Sequence, residues 1–427
     1  VNLDLFNLPA PAQNERDFAE NPMPRLPALL LNLAHALDHL FLLIFATAVG
    51  AIAVDFGYTR WEDLMPYTAG AFFMFGLGSV PAGRLGDLWG RRRMMLVFFH
   101  GMGLSAIAVA LTTNAWQMAL ALTVLGAFSA IYHPVGIPML VQHSATPGRA
   151  IGINGLVGNL GIAAAALTTG FLVQHFGWRA AFVVPGVVSI ALGLLFARAA
   201  PTEAAAPARK KASTVRQLPR DLAVRVFVVM VASATTGSVL FNLTTNANAQ
   251  LLAERMQALV TDPARLGLLL AAVYTVASVT QVIVGRLADR VAIKPLFLGI
   301  LAAQVLLFAA AAHTSGWVWY VLAIGCMVSI FGTIPFNDVM VVRYVDDSMR
   351  SRVAGLRLAI SFTLSSTAVL LLGPVVKATG FDLLLLGLAG VALLSLLIVT
   401  GLPGERRLRE AWAVEAGQVA AEPARPG

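Results

Sequence analysis

Gly83-Arg84-Leu85-Gly86-Asp87-Leu88 and Gly285-Arg286-Leu287-Ala288-Asp289-Arg290 are near-copies of one stretch, one in each half of the chain, and each closes a long apolar run. A second pair keeps nearly the same offset: Gly148-Arg149-Ala150-Ile151-Gly152 and Ser351-Arg352-Val353-Ala354-Gly355, each opening a further apolar run. Two motifs repeated at one spacing indicate a duplicated unit. Duplicated apolar units read as two bundles that face each other across a cavity and expose it to either side by rocking.

Composition sets the solvent. Of the 427 residues, 58% are hydrophobic and only 12% charged, well below the roughly 25% charged residues of a water-soluble domain. Apolar runs long enough to cross a ~30 Å hydrocarbon core begin near residues 27, 66, 93, 115, 150, 179, 223, 264, 293, 316, 353 and 380. They must be helical, since lipid offers no partner to a free backbone amide. The expected fold is all-α and integral to the membrane, with twelve transmembrane helices in two pseudo-symmetric six-helix bundles. Residues 27–198 form the first bundle and 223–402 the second, joined by a basic, Ala/Pro-rich linker at 199–222. A polar segment at 1–26 and a polar tail at 403–427 flank them, and the former lacks the apolar core and small-residue cleavage site of a signal peptide.

The 30 Lys and Arg residues divide unevenly between the two sides. Arg84, Arg91, Arg92, Arg93, Arg149, Arg209, Lys210, Lys211, Arg286, Arg290 and Arg352 fall on one side; only Arg60, Arg179, Arg255, Arg265 and Lys377 fall on the other. Basic loops stay inside, so both termini are expected in the cytoplasm of a bacterium, the chain being multi-pass in its inner membrane. The net charge of +8 is then a property of loops facing anionic lipid; membrane lipid is a partner and nucleic acid is not. A monomer is expected. Cys326 is the lone cysteine, which excludes a disulfide framework, and no Ser-His pairing, zinc-protease motif or phosphate loop is present. The protein is expected to be no enzyme and to need no cofactor.

The chemistry gathers in helix one. Asp38 lies about twelve residues, roughly 18 Å, into its span, and an acid there costs about 2.5–3.5 kcal/mol on insertion scales, so it usually faces a wet cavity and works. His35, Asp38 and His39 are spaced to share one helix face. Burial disfavours charge on all three while attraction between acid and imidazole favours it, which makes the face a candidate for exchanging protons near neutrality. His-x-x-x-His is also a sound metal spacing, but one Cys and scattered Met residues add no soft ligands, and no metal site is expected. In helix four Tyr132 and His133 precede Pro134, which removes a backbone bond and bends the helix. Asn154 and Asn159 of helix five would complete a polar patch, with glycines 152, 155, 158 and 161 serving close packing. The second half offers Thr236, Asn242 and Asn246 on helix seven, Asn337 and Asp338 on helix ten, and Arg357 on helix eleven. These suit hydrogen bonding to a cargo, except that Arg357 is expected to snorkel to the inner surface.

Six plus six helices, with GRLGDLWGRRR at 83–93 and a weaker copy at 285–290, resemble the major facilitator superfamily over nearly the whole chain. The resemblance implies that helices one, four, seven and ten line the cavity. It also implies that Asp87 latches the halves when the inner gate is shut, with Gly83, Arg91, Gly285 and Asp289 as further gating positions. A narrower likeness is carried by Ser129-Ala130-Ile131-Tyr132-His133-Pro134, Gly148-Arg149, Gly158-Asn159-Leu160-Gly161 and His35-Ala36-Leu37-Asp38-His39. Those motifs resemble the fosmidomycin-resistance branch, whose members are mostly proton-driven exporters. The expected function is proton-coupled export of a small organic compound or drug by alternating access. Proton-coupled import of a metabolite is the alternative, with a transition-metal transporter or a nontransporting membrane sensor behind it.

Overall fold

The computed structural model describes residues 23–142, 144, 147–201, 219–288, 290–344 and 347–404. The expected N-terminal segment, linker and tail lie almost wholly outside the described residues, as does Asp289. Eleven long helices carry the chain among the described residues: α1 (Arg25–Asp55), α2 (Ala69–Trp89), α3 (Arg91–Ala110), α4 (Ala115–Gln142), α5 (Pro147–Phe176), α6 (Trp178–Ala199), α7 (Arg220–Met256), α8 (Pro263–Ala288), α9 (Ile293–Ala311), α10 (Gly316–Tyr344) and α11 (Asp347–Thr400).

Ten helical segments among the described residues are long and apolar enough to cross a membrane. Helix α2 does not reach that hydropathy, because Arg84 and Asp87 fall within its 21 residues. Helix α11 runs 54 residues but breaks at Gly380, whose φ of 74° is open to glycine and strained for other residues. The broken helix therefore turns back on itself.

Burial separates central from peripheral helices. The most apolar window of α1 is 72% buried within the protein and that of α9 only 28%, so α1 packs on its neighbours nearly all round while α9 presents most of its surface to lipid. Within the first half α1 packs on α5, α3 on α6 and α2 on α4; within the second, α7 packs on α11 and α8 on α10. The two halves meet through α5 against α8 and α2 against α11. In lipid such contacts depend on dispersion and close approach rather than on expulsion of water. Gly161 shows how close: a Cβ there would stand 2.1 Å from the Ala36 carbonyl oxygen of α1.

Among the described residues, several contacts between the halves lie at the end remote from Arg84 and Arg91. There Trp61 stacks on Phe381 at 6.0 Å, Asp63 pairs with Lys377, Gly373 abuts the Glu62 carbonyl and Gly170 abuts Pro263. Further ion pairs, Arg179 with Asp55 at 2.7 Å and Arg255 with Asp382, bind that end within each half. At mid-depth Phe75 meets Phe362 at 4.7 Å. At the arginine-rich end, by contrast, positions 148, 152 and 285 have no described atom within 4 Å of where a Cβ would stand. Among the described residues, the contacts that join the halves by ion pair and ring stacking lie at the end remote from Arg84 and Arg91.

Packing at Gly161 and open space at Gly152 make opposite demands. Gly161→Ala should lower the melting temperature in detergent, at a cost of about 1–3 kcal/mol from overpacking. Gly152→Ala should be neutral or stabilising by up to about 1 kcal/mol, as alanine favours helix. Equal effects of the two substitutions would remove close approach of α1 and α5 as the reason for Gly161.

Candidate functional site

Three helices of the first half build the site. On α1 the one-turn spacing of His35 and His39 sets their imidazoles side by side, Nε2 to Nε2 at 3.1 Å. Asp38 does not join them as the shared face predicts. Fully buried, it turns to α4, where the Ser129 hydroxyl donates to its Oδ1. Its Oδ2 faces His133 Nε2 at 3.6 Å, beyond hydrogen-bond reach. Neither of those two atoms has a hydrogen-bond partner in the structure. A buried polar atom without a hydrogen bond costs about 1–3 kcal/mol, so two facing each other mark a candidate place for a proton, a water or a ligand.

Pro134 explains why α4 can present both residues. It has no amide hydrogen, and the segment Tyr132–Gly136 runs as a single π-helical turn, a local widening frequent at functional sites. The turn is seated on α2, where Gly83 and Gly86 face Pro134 and Val135. Tyr132 is thereby buried, stacks on His35 at 4.7 Å and donates to the Leu31 carbonyl at 2.8 Å.

Helix α5 supplies the brace. The Asn154 amide nitrogen donates to Asn32 Oδ1 at 2.9 Å and to the Tyr132 hydroxyl at 2.7 Å. Its backbone carbonyl lies 2.8 Å from His35 Nδ1. A carbonyl only accepts, so Nδ1 of His35 carries the hydrogen, and in the neutral ring Nε2 keeps its lone pair. His39 Nε2 then donates to it. Gly158 permits this approach, since a Cβ at that position would fall 2.5 Å from the His35 ring. Asn159 is buried nearby on the same helix with its amide nitrogen unpartnered.

Thus His35, Asp38, His39, Tyr132, His133 and Asn154 form one cluster. The second half behaves differently. Thr236 bonds Ser395 at 3.0 Å and Asn242 bonds Ser365 at 3.1 Å, both across the α7–α11 seam, while Asn246 donates back to the Asn242 carbonyl at 2.9 Å. These contacts tie helices together. The side chains of Asn337 and Asp338 lie outside the described residues. Arg357 is buried, at 7% exposed, and does not snorkel to the surface. Asp87 is exposed. Arg91 holds Gln142 at 2.8 Å, and Arg92 donates to the Ala197 and Ala200 carbonyls that end α6, a favourable place for a cation. Arg92 thereby ties α3 to the end of α6 within the first half.

Sequence reasoning missed Ser129 and Asn32 as partners. Ser129 lies four residues before His133 on α4, so helical period alone could have paired them. Nothing local marked the far-end pair of Asp63 and Lys377, which joins residues 314 positions apart.

Comparison with known proteins follows the same outline. A stretch of 159 residues is 31% identical to the tetracenomycin C resistance and export protein of Streptomyces glaucescens, covering 36% of this chain and 29% of that protein. A stretch of the same length is 30% identical to a puromycin resistance protein of Streptomyces alboniger, covering 36% and 31%. The matched stretch thus spans less than a third of these relatives. The fold is that of the crystal structure of a bacterial homologue of the human lysosomal transporter Spinster, with a TM-score of 0.66 at 13% identity, over 98% of this chain and all of that one. The sequence model of the Major Facilitator Superfamily matches residues 31–253. That is just over half of the chain, and the protein accordingly belongs to the Major Facilitator Superfamily.

Proposed function

We propose that the protein exports a small organic compound across the bacterial inner membrane, driven by protons that Asp38 and His133 exchange. The observation that carries this reading is the pair of buried, unpartnered atoms, Asp38 Oδ2 and His133 Nε2, 3.6 Å apart. One proton between them would neutralise the carboxylate or charge the imidazole, and either change alters what the first half can bind. His35 and His39 continue the path along α1. The relatives named for resistance and export favour outward movement of an organic cargo. The motifs around His133, Asn159 and Asp38 support a place near the fosmidomycin-resistance branch.

Twelve spans follow in this reading, because α2 is 21 residues, about 32 Å at helical rise, and α11 divides at Gly380. Residues 27–198 and 223–402 are then the two bundles, with both termini cytoplasmic by the bias of basic residues. In this reading the contacts of Asp63 with Lys377 and of Trp61 with Phe381 close the outer end between the halves. The exposed Asp87 fits a latch that engages only when the inner side closes. Cargo would lie between the α1–α4–α5 cluster and the polar residues of the second half, including Arg357.

Asp38→Asn should leave the protein inserted and folded, with transport driven by a pH gradient falling to background in proteoliposomes while cargo–cargo exchange persists. Gradient-driven transport at the wild-type rate in that variant would take Asp38 out of the mechanism.

Asp87→Ala should shift the population towards the inward-facing state and slow turnover while cargo binding is kept. In a background lacking Cys326, cysteines placed at the inner ends of α5 and α8 should label faster in the variant. Unchanged labelling together with normal transport would mean that Asp87 only shapes its loop.

A further inference from the structure

The imidazoles of His35, His39 and His133 each bring a ligand atom to within 4.8 Å of the other two. Zinc-class ions bind imidazole nitrogen at about 2.0–2.1 Å, which places tetrahedral donors about 3.4 Å apart. The His35–His39 pair, at 3.1 Å, already matches, and closing the third needs only side-chain adjustment of an ångström or so. The rings are also braced as metal ligands are. Such histidines turn their second nitrogen to a carbonyl or a carboxylate; His35 gives Nδ1 to the Asn154 carbonyl, and His133 turns Nε2 towards the unpartnered Oδ2 of the fully buried Asp38. Three imidazoles with a buried carboxylate behind one of them suit zinc, cobalt, nickel or copper rather than calcium or magnesium. Cys and Met add no soft ligand, and His133 of α4 supplies the third nitrogen beside His35 and His39.

We infer that His35, His39 and His133 form a binding site for one late first-row divalent cation, braced by Asp38 and Asn154, and that the ion blocks transport instead of being carried. Its three ligands all come from α1 and α4 of the first half. Rocking of one half against the other leaves the geometry of such a site unchanged, so nothing in the cycle weakens its hold on the ion. Bound there, the ion occupies the lone pairs through which protons would pass. This blocking effect rests on the coupling role given to the cluster; the binding site itself does not.

Cobalt(II) titrated into the purified full-length protein in detergent should bind at one ion per chain, with the intense visible bands of a four- or five-coordinate nitrogen site. Zinc should displace it. His35→Gln combined with His39→Gln should weaken binding at least 100-fold, and Asp38→Asn, acting through His133, about 10- to 100-fold. In chelator-treated proteoliposomes, added zinc should stop gradient-driven transport and a chelator should restore it. Absence of stoichiometric cobalt binding by the wild-type protein, a measurement that needs no variant, would overturn the site. Zinc accumulating in vesicles through the wild-type protein but not the double variant would overturn its role as a blocker. Stoichiometric binding with transport unaffected would uphold the site and count against proton coupling through the cluster.

Discussion

A carboxylate buried in the middle of a membrane is the constraint around which this protein is arranged. Asp38 is fully buried, and an acid at that depth costs several kcal/mol unless something answers it. Only one of its oxygens is answered, by Ser129. The other faces an equally unpartnered nitrogen of His133. Water would satisfy both at once in a soluble protein; here the neighbouring helices decide what reaches them. A fold that holds such a pair within ion-pair distance but beyond a hydrogen bond retains a place where a proton or a cation changes the energy of the whole cluster.

The surrounding structure serves to hold that pair still. The π-helical turn at Tyr132–Gly136 lets α4 present Tyr132 and His133 in succession, with Tyr132 tied to Leu31 and stacked on His35. Gly158 and Gly161 draw α5 against α1 until Asn154 meets His35, Asn32 and Tyr132 together. All of these contacts lie within one half. The second half instead spends its buried polar groups on the α7–α11 seam, through Thr236, Asn242, Ser365 and Ser395. The ionisable cluster thus lies in the first half, while these polar groups of the second half serve helix packing.

The helical class was legible because apolar run length is a local property. Asp38, His35 and His133 were legible too, since an acid or an imidazole stands out in an apolar helix. What could not be read was orientation about each helix axis. Asp38 looked bound to the imidazoles one turn away, yet rotation of α1 and the widened turn of α4 direct it to Ser129 and His133. Arg357 was expected to snorkel and is buried, which the length of its side chain alone does not decide. Ion pairs such as Asp63 with Lys377 join distant positions, and no local pattern announces them. The number of spans was harder to read than their existence, because Arg84 and Asp87 dilute α2 and Gly380 alone marks the break in α11.

The central claim is that the Asp38–His133 pair takes up and releases a proton inside the membrane. Difference infrared spectroscopy of the purified protein, stepped across neutral pH in lipid, reads carboxyl protonation directly through its C=O stretch. The account predicts one buried carboxyl band that appears and disappears with pH, is absent in Asp38→Asn, and shifts its midpoint in His133→Gln. A spectrum with no titrating carboxyl band, or one that survives in Asp38→Asn, would contradict it.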